Sequence, residues 1–259
     1  MPFHRGTTIQ TCQDGVVAAR TQRSERRTDA LSRRRIVEAA VEVLDAAGEG
    51  GLTFRVLTER LATGPGAIYW HVANKGELLD AATDAVVVAA LATGPAGAGG
   101  PPQDEVRAVA LGLFDAIDAH PWVATQLAAQ LSRAPWRTVT PRIFERLGRQ
   151  VVALGVPEGG RFTATSALVQ YVLGAAGQNA ANGATGRALP PGVGRREFLH
   201  AAATTWEDLD PDDYPFVRAV AGELRDHDDR EQFLAGVDLI LAGIAAVHPP
   251  GPGSPPVAS

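Results

Sequence analysis

The sequence predicts an all-α protein, with three short N-terminal helices in a helix-turn-helix head, a connecting helix, and a larger helical domain behind it. Three observations predict that class. Apolar residues recur at the i, i+3, i+4 spacing of a helix from Ile36 onward. No stretch alternates apolar and polar residues with the period of a strand, and aromatic residues make up only 6% of the chain. Glycine and proline gather between the periodic segments, above all at 92–102 and from His248 to the end.

Residues 1 to about 28 mix Arg, Thr, Gln and Ser without apolar periodicity and are expected to form a disordered basic arm. Ser32 suits the N-cap of a first helix, whose inward stripe is Ile36, Val37, Ala40, Val41 and Leu44. Gly48, Gly50 and Gly51 are expected to stop it. Thr53 caps a second, short helix, with Leu52 and Leu57 placed to close a hydrophobic staple and Val56, Leu57 and Leu61 facing inward. Pro65 then suits the first position of a third helix, from 65 to about 72. Asn74, with Glu77 three residues later, makes a capping box for a fourth helix from Lys75 to about Leu91, buried along Leu78, Leu79, Ala82, Val86 and Ala89. The stretch 92–102 (ATGPAGAGGPP) reads as a linker. Further helices are expected at about 104–120, 121–131, 141–154, 160–182, 195–209, 213–225 and 230–247. The segment 183–194 is expected to be a mobile loop, and 248–259 a disordered tail.

Composition removes several function classes. The chain of 259 residues is 45% apolar and 20% charged, enough for a sizeable core. The single cysteine, Cys12, excludes a disulfide framework and a thiolate zinc site, and reads as a spare surface thiol. No apolar run approaches the ~20 residues that span a bilayer, and the N-terminus lacks an export segment, so a cytoplasmic protein with no membrane partner is expected. The net charge of −5 is unevenly spread: eight arginines against three acids in residues 1–35, thirteen arginines against eighteen acids from residue 92 onward. Only the front end is suited to a polyanion.

The tight turn between the second and third helices is the helix-turn-helix arrangement, in which the second rod enters the major groove of DNA. Ile68 and Val72 share one face at i, i+4 and can pack inward. Tyr69, Trp70 and His71 then project elsewhere, because three consecutive large amphipathic side chains on so short a helix are hard to bury together. Tyr69 and His71 can hydrogen-bond phosphates, and Trp70 can touch sugars or thymine methyls. Lys75 opens the next helix, where a phosphate would also meet helix-end N–H groups.

These residues carry a resemblance. The run Ile68-Tyr69-Trp70-His71-Val72-Ala73-Asn74-Lys75-Gly76-Glu77-Leu78-Leu79 looks like the DNA-binding signature of the tetracycline-repressor (TetR-like) family, and Leu52 to Leu57 matches its second helix. The match runs over roughly residues 32–80. It implies that Thr53, Arg55, Pro65, Gly66, Ala67, Tyr69, Trp70, His71 and Lys75 face double-stranded operator DNA, with Arg55 the base reader by analogy. One departure stands out. Gly64-Pro65-Gly66-Ala67 places no polar side chain at the front of the recognition helix, which shifts specificity toward backbone and shape readout.

His120-Pro121-Trp122-Val123 and Phe233 to Leu241 resemble, more weakly, the C-terminal domain of the tetracycline-repressor type. That resemblance implies a homodimer and a cavity for a small-molecule effector. Small residues on one stripe, Ala167, Gly174, Gly177 and Ala181, and again Gly236, Ile240, Gly243 and Val247, offer a dimer seam or close packing within the chain. Candidate lining residues are Leu91, Leu113, Ile117, His120, Trp122, Gln126, Leu127, Tyr171 and Gln178, each of which serves core packing equally well. The tetracycline-binding members place histidines where this chain has Leu91 and Leu127, the second a metal ligand there. A tetracycline–metal chelate is therefore not the expected effector. His4, His200, His227 and His248 sit at scattered, exposed positions with no H-x-x-x-H pair, so neither metal nor cofactor is expected.

The resulting expectation is four segments: arm 1–28, helix-turn-helix DNA-binding head 29–80, effector-binding and dimerisation domain 81–247, tail 248–259. The function expected is a ligand-released repressor, with an activator as the alternative within the family. An all-helical enzyme is the alternative outside it, but neither G-x-S-x-G, nor a phosphate loop, nor paired catalytic carboxylates occur.

Overall fold

The structure, a computed structural model, describes residues 31–92, 100–187 and 194–249. Among the described residues there are eleven helices and no strand. The head holds α1 (Arg33–Gly51), α2 (Phe54–Arg60) and α3 (Pro65–Tyr69), and α4 (Lys75–Ala92) leads out of it. Behind it lie α5 (Pro102–Ala119), α6 (Trp122–Arg133), α7 (Val139–Ala153), α8 (Glu158–Arg187), α9 (Arg195–Glu207), α10 (Pro215–Arg225) and α11 (Asp229–Val247). The expected arm and the interior of the expected linker lie outside the described residues.

Local chemistry starts the head helices as the sequence indicates. Ser32 Oγ accepts from the Arg35 N–H at 3.3 Å, and Thr53 Oγ1 from the Val56 N–H at 3.2 Å. At α4, Asn74 Oδ1 accepts from the Glu77 N–H, while Glu77 reaches back to the Ala73 N–H, both at 2.9 Å. Leu52, Leu57, Ile68, Val72 and Leu78 are buried with Ile36 and Leu44, so three short rods share one small core.

Several expectations need correction. The glycines do stop α1, but only at Gly51; Gly48 kinks it first, with φ 63° and ψ −172°. The third helix stops at Tyr69, because Trp70 and His71 pass into a turn. On α4 the inward residue is Ala90, and Ala89 is exposed; the buried face also takes in Thr83, whose hydroxyl donates to the Leu79 carbonyl at 2.8 Å. Residues 183–187 continue α8, while 188–193 lie outside the described residues. His227 and His248 are half-buried.

In the rear domain α8 packs against α5, α6, α7 and α11, and Phe114 of α5 meets Phe233 of α11 with ring centroids 4.6 Å apart. Ion pairs tie α5 to α11: Arg107 to Asp238 at 2.7 Å, and Arg230 to Asp115. Gly236 is buried within the chain, against Tyr171. A Cβ there would overlap the Tyr171 hydroxyl, which donates to the Phe233 carbonyl at 3.0 Å. Gly236→Ala should therefore push Tyr171 off that carbonyl and cost about 1–2 kcal/mol. Urea denaturation checks it, and an unchanged midpoint would mean that the tyrosine repacks freely. Gly243, by contrast, has open space around it.

Candidate nucleic-acid interface and the head–body junction

The recognition helix divides its side chains sharply. Ile68 and Val72 are fully buried and fix the rod to the head. Trp70 is 86% exposed and Tyr69 52% exposed, on the face turned away from that core. Tyr69 stacks on Phe54 of α2, with centroids 4.5 Å apart and planes 12° apart, so its ring is braced while its hydroxyl end meets solvent. His71 is half-buried, and Pro65, Gly66 and Ala67 are exposed at the front of the rod. An 86%-exposed tryptophan contributes almost nothing to the monomer's own stability. It is a group held out for something else.

Thr53 is exposed as well as capping, and Arg55 forms an exposed i, i+4 pair with Glu59 at 3.0 Å. Such a pair is worth roughly 0.5 kcal/mol or less, so the guanidinium is readily exchanged for a guanine edge or a phosphate. Lys75 behaves differently from a simple surface cation. Its Nζ donates to the Glu49 carbonyl in the last turn of α1 at 2.6 Å, placing the positive charge at a helix C-terminus. Thus Thr53 and Arg55 at the start of α2, and Tyr69 and Trp70 at the end of α3, are exposed, while Lys75 is half-buried against α1.

Glu77 anchors the start of α4. The Ala73 N–H and then the Arg33 guanidinium, 3.1 Å away, hold its carboxyl below the ordinary value of 4.5. A depressed folded-state pKa adds stability above the ordinary carboxylate range and loses it as pH falls through the depressed value. Wild type is accordingly expected to melt above Glu77→Gln at neutral pH, with the gap closing in acid. A gap that stays constant across an acid titration would remove the charge from the account.

The junction between head and body was not legible in the sequence. One oxygen of Asp45, on α1, receives both the His120 Nδ1 at 2.7 Å and the Trp122 indole N–H at 2.8 Å. One turn on, Glu49 receives the Gln126 amide at 3.0 Å, and farther along α4 Asp80 receives the Gln130 amide at 3.0 Å. The His-Pro-Trp motif was the only available signal, and its partner lies more than seventy residues earlier.

The nine candidate lining residues are spread over several places in the structure. His120 lines a groove of about 670 Å³ between α1, α4 and α5. Leu91 lines another of about 590 Å³ between α4 and α7, and Gln126 a third of about 420 Å³ beside α6. Leu113, Ile117 and Leu127 are buried in the core, and Trp122 is committed to Asp45. Tyr171 is bonded to the Phe233 carbonyl, its phenol pushed up in pKa by burial, and Gln178 is bonded to Asn182. Among the described residues no group of three or more His, Cys, Asp or Glu could hold a metal ion, and no helix is long and apolar enough to cross a membrane.

A helical body carrying a helix-turn-helix head with an exposed aromatic recognition rod defines a DNA-binding regulator of the bacterial type. Comparison with known proteins makes this specific. The family model for bacterial regulatory proteins of the tetR family matches residues 36–82, and that for the tetracyclin repressor-like C-terminal domain matches residues 95–248. The chain belongs to the TetR family of transcriptional regulators. It is 66% identical to a TetR transcriptional regulator of Streptomyces coelicolor, covering 84% of this chain and 99% of that one with a TM-score of 0.77. It is 25% identical to ActR of the same organism in complex with actinorhodin, covering 86% and 99% with a TM-score of 0.67. An HTH-type transcriptional regulator of Saccharopolyspora erythraea is 32% identical over 166 residues, which is 62% of this chain and 66% of that protein.

Proposed function

We propose that this TetR-family regulator is a repressor that binds a palindromic operator as a homodimer and is released by a small-molecule effector. One observation carries the reading: Trp70 and Tyr69 are held out on a rod whose packing is done by Ile68 and Val72. The proposed interface consists of Thr53, Arg55, Pro65, Gly66, Ala67, Tyr69, Trp70, His71 and Lys75, within a DNA-binding head of residues 29–80. Arg55 reads a base edge, and the apolar front of the rod relies on backbone contacts and duplex shape. The same positions on a second copy would enter the next major groove, one helical turn away.

The dimerisation and effector domain is residues 81–247. On α8 Ala167, Gly174 and Ala181 are exposed, and on α11 so are Leu239, Gly243 and Val247, the first at 73%. A small-residue surface with protruding aliphatics on two neighbouring helices suits an isologous four-helix contact. Leu239→Arg is expected to convert the dimer to monomer in analytical ultracentrifugation; a species of unchanged mass would remove α11 from the seam. ActR, whose fold this chain shares, was solved with actinorhodin, which supports a ligand-responsive body here. Leu91 and the buried Leu127 offer no metal ligand, so a tetracycline–metal chelate is a poor fit.

Release follows from a population shift. An effector that binds better to a dimer with wrongly spaced heads lowers operator affinity by that differential, and moving from 1:99 to 99:1 needs ~5.5 kcal/mol. Mobility-shift titration of the chain's own upstream DNA, with and without candidate effectors, tests the reading. No retardation of that DNA at micromolar protein, by a properly folded dimer, would defeat it.

A further inference from the structure

We propose that the groove between α4 and α7 binds an amphipathic organic carboxylate: an apolar body on the α4 side, with its acid group on arginines of α7. The groove, about 590 Å³, falls in the size range of small-molecule sites. Its floor is Val88, Leu91 and Pro141, and Val88 is 38% exposed. Its other wall carries Arg142, Arg146 and Arg149 at i, i+4 and i+7 along α7, which puts three guanidiniums on one face.

The donors there are under-used. The Arg146 Nε is buried and has no hydrogen-bond partner, while its terminal nitrogen reaches Glu105 only at 3.4 Å. Arg142 sits 3.9 Å from Asp84, beyond hydrogen-bond length, and the facing Asp84 oxygen is itself buried without a partner. Glu145, the one carboxylate lining the groove, is held by Arg149 at 2.6 Å. A buried charged donor without an acceptor is costly, and a planar carboxylate is the group that a guanidinium takes in a two-pronged contact. A neutral ligand would fill the apolar floor and give the partly exposed ends of Arg142 and Arg146 no acceptor. The assignment of this groove as the effector site rests on the repressor reading above; the binding itself does not.

The test uses the full chain with 2-naphthoate and its neutral isostere 2-naphthamide, followed by calorimetry or equilibrium dialysis. Naphthoate is expected to bind at least 10-fold more tightly than the amide. In the Arg142→Gln/Arg146→Gln variant that preference should vanish, with amide binding unchanged. Should that variant lose its helical circular dichroism, Leu91→Glu replaces it. This change leaves the Arg146–Glu105 contact intact and, by repulsion, should lower naphthoate affinity at least 10-fold. Equal affinities for acid and amide, naphthoate binding that ignores these substitutions, or no naphthoate binding at millimolar concentration would each overturn the proposal. Operator retardation measured on the same samples separates the two claims. Its absence defeats the repressor reading, whereas the acid-over-amide preference alone decides the groove.

Discussion

Trp70→Ala is expected to lower affinity for the operator on the order of 10- to 100-fold while leaving the melting temperature of the free protein unchanged. The two halves of that expectation have separate causes. A side chain 86% exposed makes few contacts to lose on unfolding, so stability should not move. On DNA the same indole would be covered, and loss of one good groove contact costs roughly 1–3 kcal/mol per site. The proposed two-fold dimer presents the residue twice, so with both half-sites engaged even the lower end of that range, about 2 kcal/mol in all, exceeds 10-fold. Fluorescence anisotropy at fixed salt checks it, since salt alone shifts such affinities by orders of magnitude. Unaltered operator affinity would take the recognition helix out of the interface. Arg55→Ala gives a contrast: losing a base-edge reader should relax discrimination at one position rather than weaken binding to every sequence alike.

Asp45→Ala is expected to be the most damaging single change at the junction, destabilising the protein by about 2–3 kcal/mol. One carboxylate oxygen serves His120 and Trp122 together, and Trp122 is 91% buried, so removing the acceptor strands an indole N–H that water cannot easily reach. Trp122→Phe should cost less, because it removes donor and hydrogen bond together and leaves the smaller ring packed. If the two variants melt alike, the N–H is satisfied by another route. The junction also bears on the proposed release by an effector. Asp45 belongs to the head, His120 to the end of α5 and Trp122 to the start of α6, so a body that moves α6 must either drag α1 or break this contact. In operator titrations Asp45→Ala should therefore blunt the response to effector as well as lower stability.

What the sequence made legible was mostly local. Ser32, Thr53 and the Asn74–Glu77 pair announce helix starts because a cap bonds a backbone N–H only two or three residues away. Ile68 and Val72 declare the inward face of α3 by spacing alone, and what they do not occupy is the candidate interface. Errors arose where a tertiary neighbour decides. Nothing near Ala89 and Ala90 says which of two alanines is buried. The Gly183-Ala184-Thr185-Gly186 run breaks helices on propensity, yet it continues α8, the longest helix described. Likewise Tyr69 is set by Phe54, Lys75 by the Glu49 carbonyl, and Gly236 by Tyr171, partners that no window of sequence contains.

The bend at Gly48 has a further bearing. Its backbone lies at φ 63° and ψ −172°, a combination open essentially to residues without a Cβ. Beyond that bend stands Glu49, whose main chain takes the Lys75 ammonium and whose side chain takes the Gln126 amide. Two tethers, one to the connecting helix and one to the rear domain, thus hang from a single hinge that only the smallest residue can form. A lineage drifting at this codon would lose both at once, even though glycine touches neither.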